Sequence, residues 1–289
     1  MKKKYLICGL AALLSVAPIA QFNLTSYQVV EAAAEINFDQ GSMSDEEYVR
    51  NIIDQHLQLD ALHMDYTSEE DEAYTFQADI DLKNLSMKTI TSGEYGSESY
   101  SFDDGSTAMN TDTEIDMLKI IYTEYEQEID EVAKEIEDKF ILTEYPELKG
   151  QVSKMIENFK TIPDDIETYE NKDGVVSAYT KEEKISENKQ YATMVDIYGE
   201  NATIQQGVVI DSKAKTLVFE TKINVDEETM KDNESEDIGI SMSELVTDSN
   251  SKITVTPSTE QVPRLEDLEL ITKDEINQML EEKGIEVLF

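Results

Sequence analysis

The sequence predicts an α+β fold, in which a large antiparallel sheet carries an inserted helical hairpin and helices at both ends. Three observations point there. Stretches of period-two alternation, joined by short turns such as Asp104-Gly105, occupy both halves of the chain. Between them lies DTEIDMLKIIYTEYEQEIDEVAKEIEDKFI (112–141), whose apolar residues are spaced by three and four. Capping boxes open helices at Ser44 and at Thr272. The strand connections are too short for βαβ crossovers, which need a dozen or more residues.

Residues 1–34 read as an export signal. Met1-Lys2-Lys3-Lys4 is the positive start, and Tyr5 to Ala20 is an apolar run interrupted by Pro18 and too short to span a bilayer comfortably. Small residues allow cleavage after Ala20 or after Ala34, and Ala32 with Ala34 favours the second. The only cysteine, Cys8, lies early in the apolar run, badly placed for a lipid-modified cysteine, so the exported chain has neither thiol nor disulfide. The sequence carries 24 Lys+Arg against 63 Asp+Glu, a formal charge of -39. That excess repels phosphate backbones and anionic headgroups, so nucleic acid is not an expected partner. Exported, cysteine-free and acidic is the composition of a Gram-positive secreted or wall-zone protein, with no transmembrane segment after processing.

Residues 35–289 are expected to form a single domain, since no linker rich in Pro, Gly or Ser divides them. A helix runs from Ser44 to about His63, with Tyr48, Val49, Ile52, Ile53, Leu57 and Leu59 on one broad face. Strands follow: Tyr74, Phe76, Ala78 and Ile80 alternate, then come Leu85 to Tyr95, Ser97 to Asp103 and Ser106 to Thr111. The insertion, 112–162, comprises the 112–141 helix and a second helix from Glu147 to Thr161, separated at Pro146 and folded back as a hairpin. Period two returns in Val175 to Thr180, Gln190 to Tyr198, Ala202 to Asp211 and Thr216 to Val225, with NKDGVV (171–176) and DSKAK as turns. Weaker strands are expected near Gly239 to Val246 and Ser251 to Thr256. A helix from Thr272 to Glu282, stopped by Gly284, closes the chain.

The inserted helix carries a narrow seam, Ile115, Leu118, Tyr122, Tyr125, Ile129, Val132 and Ile136, which Met117 and Ile121 widen at one end. Acids fill the remaining positions. Such a stripe packs on a sheet as core, or it closes over an apolar pocket as a lid. A coiled-coil seam for another chain fits less well, because no basic residues balance the acids at the flanking positions.

This layout of starting helix, antiparallel strands such as SYSFDDGSTAMNT, inserted helical hairpin, further strands and closing helix resembles the LolA/LppX-type carriers. The similarity spans roughly residues 44 to 283 and is one of element order. It implies a strongly curved half-barrel sheet under helices, and a non-enzymatic exported protein that binds a hydrophobic or lipid-like ligand. The positions matching the lid make Leu118, Tyr122, Tyr125, Ile129, Val152, Met155 and Phe159 the candidate ligand-binding residues. The alternative is an acidic surface protein with a packed interior, whose partner is a basic protein or peptide.

Other chemistry has little support. His56, Asp60 and His63, at i, i+4 and i+7 of the first predicted helix, would stack on one face as a metal-binding set, but the face is apolar and no zinc spacing accompanies them. DEETMKDNESED (226–237) lacks the central Gly and alternating oxygens of a calcium loop. There is no G-x-S-x-G, P-loop or dinucleotide fingerprint, so no enzymatic activity and no cofactor are expected.

Overall fold

A computed structural model describes residues 36–68, 75–92, 96–187, 195–225 and 249–286. The fold is α+β, and among the described residues thirteen strands pair antiparallel with one exception, together with several helices. The chain divides into two compact units. Unit 1 comprises Met1–Glu72 and Lys154–Pro257, and unit 2 comprises Ala73–Ser153 and Ser258–Phe289.

Unit 1 contains helix α1 (Asp45–Leu57) and strand β1 (Ala61–Ser68). The expected capping box holds the start of α1: the Ser44 hydroxyl accepts the Glu47 N–H, and the Glu47 carboxylate accepts the Ser44 N–H at 2.9 Å. The helix ends at Leu57, six residues before His63, a correction to the sequence expectation. Gln58 caps it, and Leu62, Met64 and Tyr66 then alternate on β1, which pairs with β12 (Ser249–Pro257) from Leu62↔Pro257 to Ser68↔Ser251. Long-range strand pairing prevails there over a weak local helical period.

The remaining strands of unit 1 are β7 (Ile166–Lys172), β8 (Val175–Thr180), β9 (Glu183–Lys184), β10 (Thr203–Asp211) and β11 (Thr216–Asn224), in the order β1-β12-β11-β10-β8-β7 with β9 on β10. The turns fall where expected. Asp173 and Gly174 adopt φ 55 and φ 88 between β7 and β8, and Asp211 Oδ1 accepts the Lys213 and Ala214 N–H groups between β10 and β11. β7 was not expected. Of the expected strand Gln190 to Tyr198, residues 190–194 lie outside the described residues and Val195–Tyr198 is a single helical turn. The signal segment, the acidic loop 226–237 and the strand near Gly239 to Val246 also lie outside them.

Unit 2 contains β2 (Phe76–Asp81), β3 (Ser86–Thr91), β4 (Ser97–Phe102), β5 (Ser106–Asn110), β6 (Phe140–Glu144) and β13 (Leu270–Ile271), in the order β13-β6-β5-β4-β3-β2. The parallel exception is β6 with β13. The helix expected over 112–141 is instead α2 (Asp112–Ile121), a 3-10 turn (Thr123–Tyr125) and α3 (Glu126–Glu135), followed by β6. Tyr122 leaves helical geometry at φ -113, ψ 57, next to a β-branched pair, Ile120 and Ile121, that weakens the helix end. α2 and α3 therefore pack on each other, with the Lys119 ammonium 2.6 Å from Asp130.

Helix α4 (Gln151–Thr161) follows Pro146 as expected. Because β6 stands between α3 and α4, the expected hairpin of those two helices is not what the short connection implied. Two-helix packing occurs one helix earlier. The Asp103 carboxylate, from the β4–β5 turn, accepts the Ser153 N–H at 2.9 Å and its hydroxyl at 2.8 Å. α5 (Val195–Tyr198) and α6 (Lys273–Glu282) are the other helices among the described residues, and α6 carries the expected capping box at Thr272 and stop at Gly284, φ +87.

Candidate functional site

Register fixes which side chains share a face of unit 2. Ala78, Thr89, Ser99, Met109 and Ile141 are successive cross-strand partners, and Ile80, Met87, Ser101, Thr107 and Thr143 form the neighbouring row on that face. The margin at Ile141 is sealed. Ile115 and Leu118 of α2, Ile129 and Val132 of α3, and Ile276 and Leu280 of α6 form one buried cluster with Ile141 and Ile271. Ion pairs tie its rim, Lys273 to Glu114 at 3.2 Å and Lys283 to Glu131 at 2.7 Å.

Phe76, Ala78 and Ile80 on β2 are buried as well. The middle of the two rows differs: Met87, Ser99, Ser101, Thr107 and Met109 are half-buried around the buried Thr89, and Thr143 at the end of the second row is half-buried too. On the opposite face of this sheet, residues after Ser258 cover the part around Tyr100 and Ala108. Val262 is buried with Tyr100 and Ala108, and Leu265 and Leu268 pack against them beside Phe140 and Leu270. The Tyr100 and Phe140 rings meet edge to face at 5.2 Å, and the Tyr100 hydroxyl donates to Glu98. Burial, then that carboxylate, pushes the Tyr100 phenol upward.

Of the candidate ligand-binding residues, Leu118 and Ile129 are buried in the helical cluster and Tyr122 and Tyr125 pack half-buried against it. Val152, Met155 and Phe159 are buried on α4, where the Phe159 ring lies 4.5 Å from Phe219 of β11. The first four thus come together, while Met155 and Phe159 belong to unit 1. The half-buried Met87 and Met109 were missed, because alternation in SMKTIT and STAMN leaves open which side faces inward.

The shared helix face of His56, Asp60 and His63 is a correction. His56 is on α1, Asp60 precedes β1 and His63 is on β1, so they share no helix face. Among the described residues, no three or more His, Cys, Asp or Glu side chains gather as a metal site would need. His56 is instead a core residue: its Nδ1 donates to the Ile52 carbonyl at 2.8 Å and its ring meets Phe38 edge-on at 6.0 Å. Burial holds its pKa below the ordinary value, with the bond to Ile52 acting the other way. The unfolded chain therefore binds this proton more readily. The stability His56 contributes is present above about pH 6.5 and is lost as pH falls through the lowered native value. Urea midpoints are expected to drop from about pH 7 to about pH 5, and His56→Phe to flatten that part of the profile.

Two further features of unit 1 bear on binding. An open cleft of about 510 Å³ is lined by Ile36, Asn37, Phe38, Asp39, Ser212 and Lys215. Across the sheet, Tyr179, Gly207, Glu220 and Lys252 are successive partners, and the Tyr179 ring occupies the space that a side chain on Gly207 would take. Its hydroxyl donates to Glu220 at 2.8 Å, and Lys222 sits over its ring at 4.3 Å. Burial and Glu220 push the Tyr179 phenol up to about 12, so it is a donor that ties the strands together.

The sequence matches no protein-family profile and no curated protein. No helix among the described residues is long and apolar enough to cross a membrane.

Proposed function

We propose that the chain is an exported, non-enzymatic binding protein that holds a hydrophobic or amphipathic, lipid-like ligand against the sheet face of unit 2, in the manner of the LolA/LppX-type half-barrel carriers. One observation carries the reading. On a face with buried apolar side chains at Phe76, Ala78 and Ile80 on one margin and at Ile141 on the other, Met87 and Met109, with Ser99, Ser101 and Thr107 around the buried Thr89, are half-buried. Methionine is flexible and polarisable and adapts to irregular apolar ligands, while the hydroxyls orient a polar end. Helices α2, α3 and α6 serve as the cover at the Ile141 margin, with Tyr122 and Tyr125 at its edge.

The purified exported protein is expected to carry a co-purifying acyl molecule, detected by native mass spectrometry and solvent extraction, and to take up a fluorescent fatty acid. Met109→Asp places a charge among apolar contacts and is expected to reduce uptake at least ten-fold, with circular dichroism unchanged. Repeated ligand-free preparations without uptake would defeat the reading.

A further inference from the structure

Helix α2 has two apolar faces. Ile115 and Leu118 point into the helical cluster, whereas Met117, Ile120 and Ile121 are 37%, 62% and 48% exposed. These three lie at i, i+3 and i+4, so they form one continuous ridge. A surface helix normally turns polar residues outward, and grouped large apolar side chains on a surface mark an interaction site. Asp116, next to Met117 on the helix, is exposed, and so is Glu124 in the 3-10 turn that follows the helix end. Lys119, between Met117 and Ile120 in sequence, is engaged with Asp130 at 2.6 Å. The surface is thus an apolar centre with a negative rim.

We infer that this ridge is a docking surface for a cationic amphipathic segment of another protein, which lays an apolar helix face on Met117, Ile120 and Ile121 and sets Lys or Arg against Asp116 and Glu124. Charge complementarity selects that occupant. A second copy would bring its own acidic rim and a formal charge of -39 against the first, and an anionic lipid surface is repelled in the same way. The ridge does not depend on whether the sheet face of unit 2 holds a ligand.

The test uses the full exported chain and two synthetic labelled peptides of equal charge, one a Leu/Lys amphipathic helix and the other with its leucines replaced by serine. Fluorescence anisotropy near physiological salt is expected to give about ten-fold tighter binding of the Leu/Lys peptide. The double variant Ile120→Ser, Ile121→Ser is expected to abolish that preference while keeping the residual, salt-sensitive attraction common to both peptides. Asp116→Asn with Glu124→Gln, which leaves the ridge intact, is expected to weaken both peptides and keep the preference. Should the serine variant unfold, Met117→Gln provides the same reading at a less exposed position. Survival of the preference in the ridge variants would overturn the inference. So would a wild-type dimer in sedimentation that the serine variant dissolves, since the occupant would then be a second copy.

Discussion

Gly105→Ala is expected to lower unfolding stability by about 3 kcal/mol. Gly105 sits in the β4–β5 turn at φ +93, where an L side chain is strained, and a Cβ there would meet the Tyr145 carbonyl oxygen at 2.6 Å. That oxygen cannot withdraw freely. The Tyr145 N–H donates to the Gly105 carbonyl at 2.9 Å, and Ser106 and Glu144 pair immediately beyond, so the turn and the end of β6 must separate together. The backbone term is roughly 1–2 kcal/mol, and overpacking against an immobile group adds a similar amount. Gly150 separates the two contributions. It also has positive φ, +74, but a Cβ there has nothing within 4 Å. Gly150→Ala is therefore expected to cost only the backbone term. Urea unfolding of both variants checks the ratio, and equal losses would show that the close approach to Tyr145 contributes nothing.

That turn was legible in the sequence because its cause is local: Asp104-Gly105 between alternating residues admits few other conformations. The capping boxes at Ser44 and Thr272 were legible for the same reason. The seam from Ile115 to Ile136 was legible as a buried face, and all seven of its residues are buried in or packed against one cluster. Its continuity was not, since the break at Tyr122 has neither Pro nor Gly to announce it and comes from folding α3 back on α2. β1 and β6 were hidden for a different reason. LHMDY and FILTE become strands through partners far away in sequence, β12 for the first and β5 with β13 for the second. The candidate site suffered most. Period two shows that Met87 and Met109 alternate with their neighbours, but only register shows that they lie in adjacent rows of one face. Met117 and Ile121 were read as widening the seam, whereas with Ile120 they form a separate outward ridge.

Ile129→Ala is expected to cost about 3–4 kcal/mol. Ile129 on α3 has no exposed surface, and it shares its cluster with residues of α2, α6, β6 and β13. Truncation removes buried methyl and methylene groups and leaves a cavity between elements that cannot all close on it. Ile120→Ser, on the exposed ridge one helix earlier, is expected to change stability by no more than about 0.5 kcal/mol. The comparison also distinguishes cover from binding surface. If the helical cluster is cover and the half-buried middle of the sheet holds the ligand, Ile129→Ala lowers stability yet leaves the affinity of the folded protein for a fatty acid unchanged. Met109→Asp does the reverse, with near-normal stability and lost uptake. A bound ligand adds the same RT ln(1 + [L]/Kd) to wild type and to Ile129→Ala, so their urea midpoints should shift in parallel on adding fatty acid, whereas that of Met109→Asp should stay where it was. A smaller ligand-induced shift in Ile129→Ala than in wild type would place the ligand against the helices instead, among Leu118, Tyr122, Tyr125 and Ile129.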